Sequence, residues 1–420
     1  MKILHINTHD ISGGAARAAL RLHLALLDQG LQSRMFVETM QSSDIKGIHG
    51  FRIPGDISRI RWQIFRKLMN RPILKAQQSS LEIFDVFTDD RSPCGREARK
   101  QLPGHDVINL HWVAGFLDYR DFFSRNRTAP VVWTLHDMNP FTGGCHYTNG
   151  CDHFTGQCGS CPQLTSSNPD DPSRRIWMRK HSAYANMAPD RLHIVTPSAW
   201  LAGEVSRSSL LGRFPVTHIP NSIDIDVFTP RDRSAARASL GLPLDARVVL
   251  FVAASLKNRR KGFRELLKAL DKLDPVQQLY LISLGKTDAD IPSRNAHINL
   301  GNVGNDRLLT LIYNAADCFV IPSRQDNLPN TVLEAMACGT PVAGFAVGGI
   351  PEMVISGRSG ILAAPGDIEG LCCAVRTILT RDNLREEMSR NCRETILKHY
   401  TPELQARRYL DIYHQMGERH

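Results

Sequence analysis

The sequence has no run of 18 or more consecutive apolar residues, the length that a membrane-spanning helix requires. Its start, MKILHINTHD, lacks the long apolar stretch and the small-residue cleavage site of a secretory signal. No internal repeat or low-complexity tract is present. Hydrophobic residues make up 42% of the 420 and charged residues 22%, as in soluble globular proteins. We expect about two to three domains, and a cytoplasmic location.

The chain also lacks a helix-turn-helix, zinc-finger or single-strand-binding pattern, so its net charge of +9 does not predict a nucleic-acid partner. The excess is local, because residues 51–75 alone carry +6. Residues 57–69 predict a basic amphipathic helix, which suits an anionic membrane surface. The alternative is a core-packing helix with a solvated basic back. The apolar side holds Ile57, Ile60, Ile64, Phe65 and Leu68, and the polar side holds Arg59, Gln63, Arg66 and Lys67.

The first 40 residues alternate between strand and helix patterns, which predicts the opening of a doubly wound α/β domain. Gly13 and Gly14 lie where the first strand gives way to the first helix, the place where open parallel sheets bind ligands. Without Cβ atoms, the backbone there can approach a phosphate or a sugar closely. The alternative is an ordinary turn.

Two further buried strands are predicted at 105–113 and 130–138, and His111 and His136 lie near their carboxyl ends. A histidine in this position can hydrogen-bond a sugar hydroxyl or share a proton. A packed strand-end histidine is the alternative. Farther along, Ser198 is predicted to cap a helix after the strand at 191–196.

The second half holds the sharpest motif, PSRQDNLPNTVLEAMACGTPV at 322–342. Asp326 precedes Glu334 by eight residues, and the turn between them opens an apolar helix. A phosphate can rest on the N-terminal N–H groups of this helix at residues 327–331, while the two acids hold hydroxyls. Upstream, Arg260 and Lys261 lie in a basic strand-to-helix loop, KNRRKG, which suits a diphosphate. The alternative for the motif at 322–342 is an ordinary buried helix start, and the alternative for the loop KNRRKG is a solvated basic loop.

This motif resembles the signature of retaining glycosyltransferases of family 4. The resemblance implies the GT-B fold, with two facing Rossmann-like α/β domains of parallel sheet and a helix at 399–420 that returns to the first domain. The first domain is expected at 1–222, with a Cys-rich insertion at 141–165, and the second at 223–398. The implied reaction moves a sugar, with retention, from a nucleoside diphosphate sugar to a saccharide or lipid-linked acceptor in cell-surface polysaccharide synthesis.

The resemblance also implies the site residues. The catalytic set is His136, Lys261 and Asp326. The donor-binding set is Gly13, Gly14, Asn221, Arg260, Lys261, Asp326, Asn327, Leu328 and Glu334, with Asp224 as a further candidate.

This chain departs from the family pattern at two positions. Asp326 replaces the usual Glu, and Ser255 replaces an Arg whose charge Arg259 or Arg260 would supply. No Asp-x-Asp motif is placed at a strand end, so we expect cations and no divalent metal in catalysis. The rival functions are a non-enzymatic nucleotide-sugar-binding protein and a nucleotide-sugar epimerase.

Four of the ten cysteines, Cys145, Cys151, Cys158 and Cys161, lie within 17 residues. In a reducing compartment, such thiols favour a metal over disulfides, which predicts one structural zinc ion. Two disulfides or four unliganded thiols are the alternatives, because the spacing is not a standard one. His146 or His153 could replace one cysteine as a ligand.

Overall fold

The computed structural model describes residues 1–53, 55–78, 84–126, 129–273, 278–287 and 295–418. It divides into two compact units, of which the first comprises Met1–Pro220 with Gln405–His420 and the second Asn221–Leu404. The sequence predicted that the first domain ends at residue 222 and the second at residue 398.

The first unit is built on a parallel sheet, with strand order β3-β2-β1-β4-β5-β6-β7. Ile3 of β1 packs on one face, and Leu4 and Ile6 pack on the other. This sheet is therefore covered on both faces, as the sequence predicted. Its strands are β1 (Lys2–His9), β2 (Gln32–Thr39), β3 (Ile48–Gly50), β4 (Val107–Leu110), β5 (Val131–Thr134), β6 (Leu192–Thr196) and β7 (Val216–His218).

Helices alternate with these strands, and short polar side chains start several of them. Ser198 caps its helix as predicted, because its Oγ accepts a hydrogen bond from Leu201 N at 3.1 Å. Asp171 and Asp118 cap two others in the same way. The helices are α1 (Gly14–Asp28), α2 (Asp56–Gln78), α3 (Gly95–Lys100), α4 (Tyr119–Arg125), α5 (Pro172–Ala185) and α6 (Ala199–Arg207).

The second unit has its own parallel sheet, with strand order β10-β9-β8-β11-β12-β13, and one continuous apolar core. The strands are β8 (Arg247–Ser255), β9 (Leu279–Lys286), β10 (Ala296–Asn299), β11 (Cys318–Ile321), β12 (Val342–Phe345) and β13 (Gly360–Ala363). The helices are α7 (Arg233–Ser239), α8 (Phe263–Asp271), α9 (Asp306–Ala315), α10 (Asn330–Ala337), α11 (Ile350–Met353), α12 (Ile368–Thr380) and α13 (Asp382–His399).

The last helix, α14 (Pro402–Gly417), packs within the first unit. The Tyr409 hydroxyl lies 2.9 Å from Thr134 Oγ1 on β5, and Asn109 Nδ2 on β4 donates to the Tyr413 hydroxyl at 2.7 Å. Both rings are buried beside Ile3. The helix thus covers one face of the first sheet.

Helix α2 contains the predicted amphipathic segment 57–69 and extends beyond it. Four apolar side chains of this helix are 44–60% exposed, those of Ile60, Ile64, Phe65 and Leu68. The alternative interpretation, a core-packing helix, required them to be buried. The side chains of Ile57 and Arg59 lie outside the described residues. Across the residues that the structure describes, no helix is both long and apolar enough to cross a membrane.

Candidate functional site

Three loops of the second unit lie at one edge of its sheet, where β8, β11 and β12 are neighbours. They follow these strands at residues 256–262, 322–329 and 346–349. Hydrogen bonds between their backbones join them, because Arg324 N donates to Arg260 O at 2.7 Å and Gly349 N donates to Asp326 O at 3.2 Å. Carboxyl ends of parallel strands are where such sheets bind ligands.

Asp326 lies among the three loops at this edge of the sheet, and it is only 4% exposed. Its Oδ2 accepts hydrogen bonds from Lys261 Nζ at 2.5 Å and from Ser323 Oγ at 3.1 Å, and its Oδ1 lies 3.2 Å from Arg260 Nη1. Burial pushes the pKa of Asp326 up, but Lys261 and Arg260 outweigh it, and the pKa is lowered. The carboxylate is therefore ionised, and the three side chains carry a net charge of about +1.

Two glycines allow the loops to approach this closely. Gly262 has φ +74°, and a Cβ atom there would lie 1.8 Å from Pro322 O. Gly348 has φ +56°, and its Cβ would lie 1.8 Å from Asp326 O. Any side chain at either position would push the loop carrying Asp326 away from its neighbour.

Helix α10 begins next to Asp326, at Asn330, as the motif predicted. Asn327 and Leu328 are buried in the turn that leads into it. The preceding residue, Pro329, has no side chain that could cap the first turn. The Thr331 hydroxyl is buried, and it has no hydrogen-bond partner within the described ranges. The start of α10 thus offers a polar group and N–H groups to an anion.

Glu334 is 4% exposed, and its Oε2 accepts a hydrogen bond from the Tyr313 hydroxyl at 3.0 Å. It is therefore not the solvated helix-end charge of the alternative interpretation. Asn221 also reaches this helix, because its Nδ2 donates to Asn330 Oδ1 at 3.2 Å. Asp224, by contrast, is exposed and accepts hydrogen bonds from the N–H groups of its own turn.

In the first unit, the predicted glycines and histidines follow β1, β4 and β5, which are neighbours in the sheet. Gly13 has φ +90°, and a Cβ atom there would meet nothing within 4 Å, so the backbone conformation and not crowding favours glycine. Gly14 is the first residue of α1.

His136 is the half-buried end of a chain of three imidazoles, of which His5 and His111 are buried. His5 Nδ1 lies 3.0 Å from His111 Nε2, and His111 Nδ1 lies 3.1 Å from His136 Nε2. Burial lowers the pKa of His136 to about 4, and it holds the pKa values of His5 and His111 well below the ordinary value. All three are neutral at pH 7, so His136 can exchange hydrogen bonds but carries no charge.

The residue after His136 belongs to a separate network that sequence reasoning missed. Asp137 Oδ2 lies 2.6 Å from His146 Nδ1 and accepts a hydrogen bond from Trp112 Nε1 at 2.8 Å. His146 Nε2 lies 2.8 Å from Thr88 Oγ1, so both of its ring nitrogens are engaged. This excludes His146 as the alternative metal ligand in this conformation.

Residues 246–381 match the family model described as glycosyl transferases group 1. The D-inositol 3-phosphate glycosyltransferase of Mycolicibacterium smegmatis is 35% identical over 307 residues, which are 68% of this chain and 62% of that protein. The chain thus spans less than two thirds of that relative. WcaC of Escherichia coli, by name a colanic acid biosynthesis glycosyl transferase, is 26% identical over 356 residues, 81% of this chain and 82% of that protein. The predicted family resemblance is confirmed, and residues 246–381 form a glycosyl transferases group 1 domain.

Two solved structures share the fold over nearly the whole chain. Sucrose-phosphate synthase from Thermosynechococcus elongatus has a TM-score of 0.69 at 20% identity and covers 100% of both chains. HepE of Anabaena, in complex with UDP-glucose, has a TM-score of 0.64 at 16% identity and covers 98% of this chain and 99% of that one. The predicted GT-B class, with two Rossmann-like parallel sheets and a C-terminal helix, is confirmed.

Proposed function

We propose that this protein is a glycosyltransferase that moves a sugar from a nucleoside diphosphate sugar to a saccharide or lipid-linked saccharide acceptor, with retention at the anomeric carbon. The observation that carries the proposal is the cluster of Lys261, Arg260 and Asp326 beside the start of α10. The cluster lies in the glycosyl transferases group 1 domain. Its surplus positive charge and the adjacent helix N-terminus suit a diphosphate.

The diphosphate would lie between Lys261 and Arg260 on one side and the first turn of α10 on the other. Its oxygens would accept hydrogen bonds from the ammonium, the guanidinium and the buried Thr331 hydroxyl. Glu334 would hold the ribose hydroxyls through the carboxylate that Tyr313 orients. Asp326 would keep both cations in place until the donor arrives, and then contact the sugar.

Sugar transfer breaks the bond between the anomeric carbon and the phosphate oxygen while the acceptor oxygen bonds to the same face of that carbon. The acceptor proton passes to the departing phosphate oxygen. Lys261 and Arg260 stabilise the charge that develops on this phosphate, a task that a divalent metal performs in other transferases. Neutral His136 would orient a sugar hydroxyl and would not act as a charged acid.

The relatives guide the choice of donor and pathway class. HepE is in complex with UDP-glucose in its solved structure, and WcaC is named for colanic acid biosynthesis. We therefore infer a uridine diphosphate sugar as the first donor to test, and cell-surface polysaccharide synthesis as the setting. A lipid-linked acceptor would also account for the exposed apolar side chains and the basic residues of α2.

A donor screen followed by product analysis tests this proposal. Nucleoside diphosphate sugars are first ranked by the shift that each causes in the unfolding temperature. The best donor is then incubated with saccharide acceptors, and the anomeric configuration of the new bond is read by proton NMR. An inverted product would overturn retention. A donor that binds without any transfer would favour a binding protein, and an isomerised donor formed without an acceptor would favour an epimerase.

A further inference from the structure

The Cys-rich insertion of the first unit folds so that its four cysteines line one small cavity. Cys145, Cys151, Cys158 and Cys161 surround a volume of about 20 Å³, together with His153. Cys158 and Cys161 are buried, and Cys145 and Cys151 are half-buried. Buried free thiols often serve singly as small apolar residues. Here, by contrast, four thiols line the same cavity, which has room for about one atom or one water molecule.

The loop around this cavity is held firmly by the rest of the fold. Thr142 Oγ1 donates to Cys145 O at 2.6 Å, and Asp171, the cap of α5, accepts a hydrogen bond from Cys161 N at 2.7 Å. Gly143 and Gly159 could not carry side chains, because their Cβ atoms would lie 2.4 Å from Ser173 O and 2.3 Å from Pro169 O. The backbone of the loop near Cys145 and Cys161 is therefore set by packing and hydrogen bonds.

Burial raises the pKa of all four thiols, and backbone N–H groups near the sulfur atoms offset only part of that rise. Gly143 N donates a hydrogen bond to Cys158 Sγ at 3.2 Å. Backbone N–H groups also approach Cys151 from His153 and Cys161 from Gln163 and Leu164. Since neutral thiols are weak acceptors, N–H groups directed at sulfur are typical of metal-bound cysteine.

A buried cation lies close to the same cavity. The Lys180 side chain is fully buried in α5, and its Nζ donates to Thr142 O at 3.1 Å. Thr142 is itself one of the residues that line the cavity. Four thiolates around one divalent ion carry a net charge of −2, so a fixed positive charge beside them offsets part of the cost of burial.

We propose that Cys145, Cys151, Cys158 and Cys161 bind one structural Zn²⁺. Sulfur donors and four protein ligands are the usual set for structural zinc, with zinc–sulfur distances of about 2.3 Å. Within the described ranges, no three His, Cys, Asp or Glu groups already meet the geometry of a metal centre, so binding draws the thiols inward around the cavity. The ion would cross-link residues 145–161 to one another and so brace the loop that follows His136.

Full-length protein purified through a tag that does not bind metal tests the proposal by elemental analysis. We expect one zinc per chain, lost in the Cys158→Ser/Cys161→Ser double variant. The matched control is Cys373→Ser, which removes an exposed thiol of α12 and should keep its zinc. Metal-free protein, or a mass lower by four hydrogens from two disulfides, would overturn the proposal.

A second measurement needs no variant and is therefore independent of folding defects. Alkylation followed by mass spectrometry should show the four loop cysteines protected together and released together by a zinc chelator. Cys373 should react with and without the chelator. If the four cysteines react independently, or if the chelator changes nothing, no shared ion is present.

Discussion

Lys261 and Asp326 come from loops that follow neighbouring strands, and a 2.5 Å hydrogen bond joins the ammonium to the carboxylate. Without a ligand, the carboxylate occupies a position beside two cations that a phosphate oxygen would also favour. A diphosphate must therefore compete with Asp326 for Lys261. Lys261 keeps an anionic partner throughout this exchange, so donor binding does not leave its half-buried ammonium unpaired.

The first prediction concerns this donor cluster. Lys261→Ala and Glu334→Ala should each weaken donor binding by roughly tenfold to a hundredfold, the equivalent of about 1.5 to 3 kcal/mol for a hydrogen bond to a charged group. Titration calorimetry with the best donor from the thermal screen measures this change. Lys268→Ala, which removes an exposed ammonium from α8, is the control and should bind like the parent.

Parent-like affinity in both variants would place the donor elsewhere. If a variant without donor unfolds at a lower temperature than the parent, its weaker donor binding would reflect a loss of protein stability. Both variants therefore need to be compared with the control at a temperature well below their own unfolding transitions.

The motif around Asp326 and Glu334 could be located from the sequence because it combines a turn, a helix start and fixed spacing. The partners of these residues could not. Tyr313 lies 21 positions before Glu334, and the hydrogen bond between them depends on how α9 packs against α10. The ion pair of Asp326 with Lys261 spans 65 positions, and it depends on β8 and β11 being neighbours.

The second prediction separates two roles of glycine. Gly262 and Gly241 share a left-handed backbone, with φ +74° and φ +67°, but only Gly262 would bring a Cβ against Pro322 O. Gly241→Ala should cost about 1 to 2 kcal/mol, the price of a left-handed alanine. Gly262→Ala should cost clearly more and should also weaken donor binding, because the loops carrying Lys261 and Asp326 must separate.

Urea unfolding and donor titration of both variants measure the difference. Equal stability losses, with donor affinity unchanged in Gly262→Ala, would show that the loop relaxes without disturbing the cluster.

The third prediction is a pH dependence that comes from the three linked imidazoles of His5, His111 and His136. The folded state lowers the pKa of His136 to about 4 and keeps those of His5 and His111 well below 6.5. Unfolded protein therefore binds more protons once the pH falls below about 6.5, and stability declines with acidification. For His136 the decline continues to about pH 4. Each such histidine contributes about 2 kcal/mol of lost stability between pH 7 and pH 5.

Urea unfolding at pH 7 and pH 5 gives the stability that each protein loses on acidification. Because other groups also titrate, this loss is compared between the parent and its variants. His111→Gln should lose less stability on acidification than the parent. His414→Gln changes an exposed histidine of α14 and should follow the parent. An unchanged pH dependence in His111→Gln would show that the imidazole chain accepts a proton in the folded state.

The sequence predicted the element types and the strand-end position of His136, but it could not show that His5 and His111 extend a chain from it. That chain depends on the pairing of β1 with β4 and of β4 with β5. Similarly, periodicity placed apolar residues on one side of α2 without showing whether that side is covered. Met69 and Ile73 are buried, whereas Ile64 and Leu68 remain exposed.

The fourth prediction tests attachment of α2 to an anionic membrane surface. Ile64 and Leu68 are 52% and 59% exposed, and Lys67 and Arg71 are exposed on the same helix. Vesicles of phosphatidylglycerol and phosphatidylcholine should therefore sediment the protein at low salt and release it as salt screens the cations. Ile64→Ser/Leu68→Ser should abolish sedimentation, while Leu244→Ser, which changes an exposed leucine of the other unit, should leave it intact. Equal binding to vesicles of phosphatidylcholine alone, or the absence of binding to either, would refute an electrostatic attachment through α2.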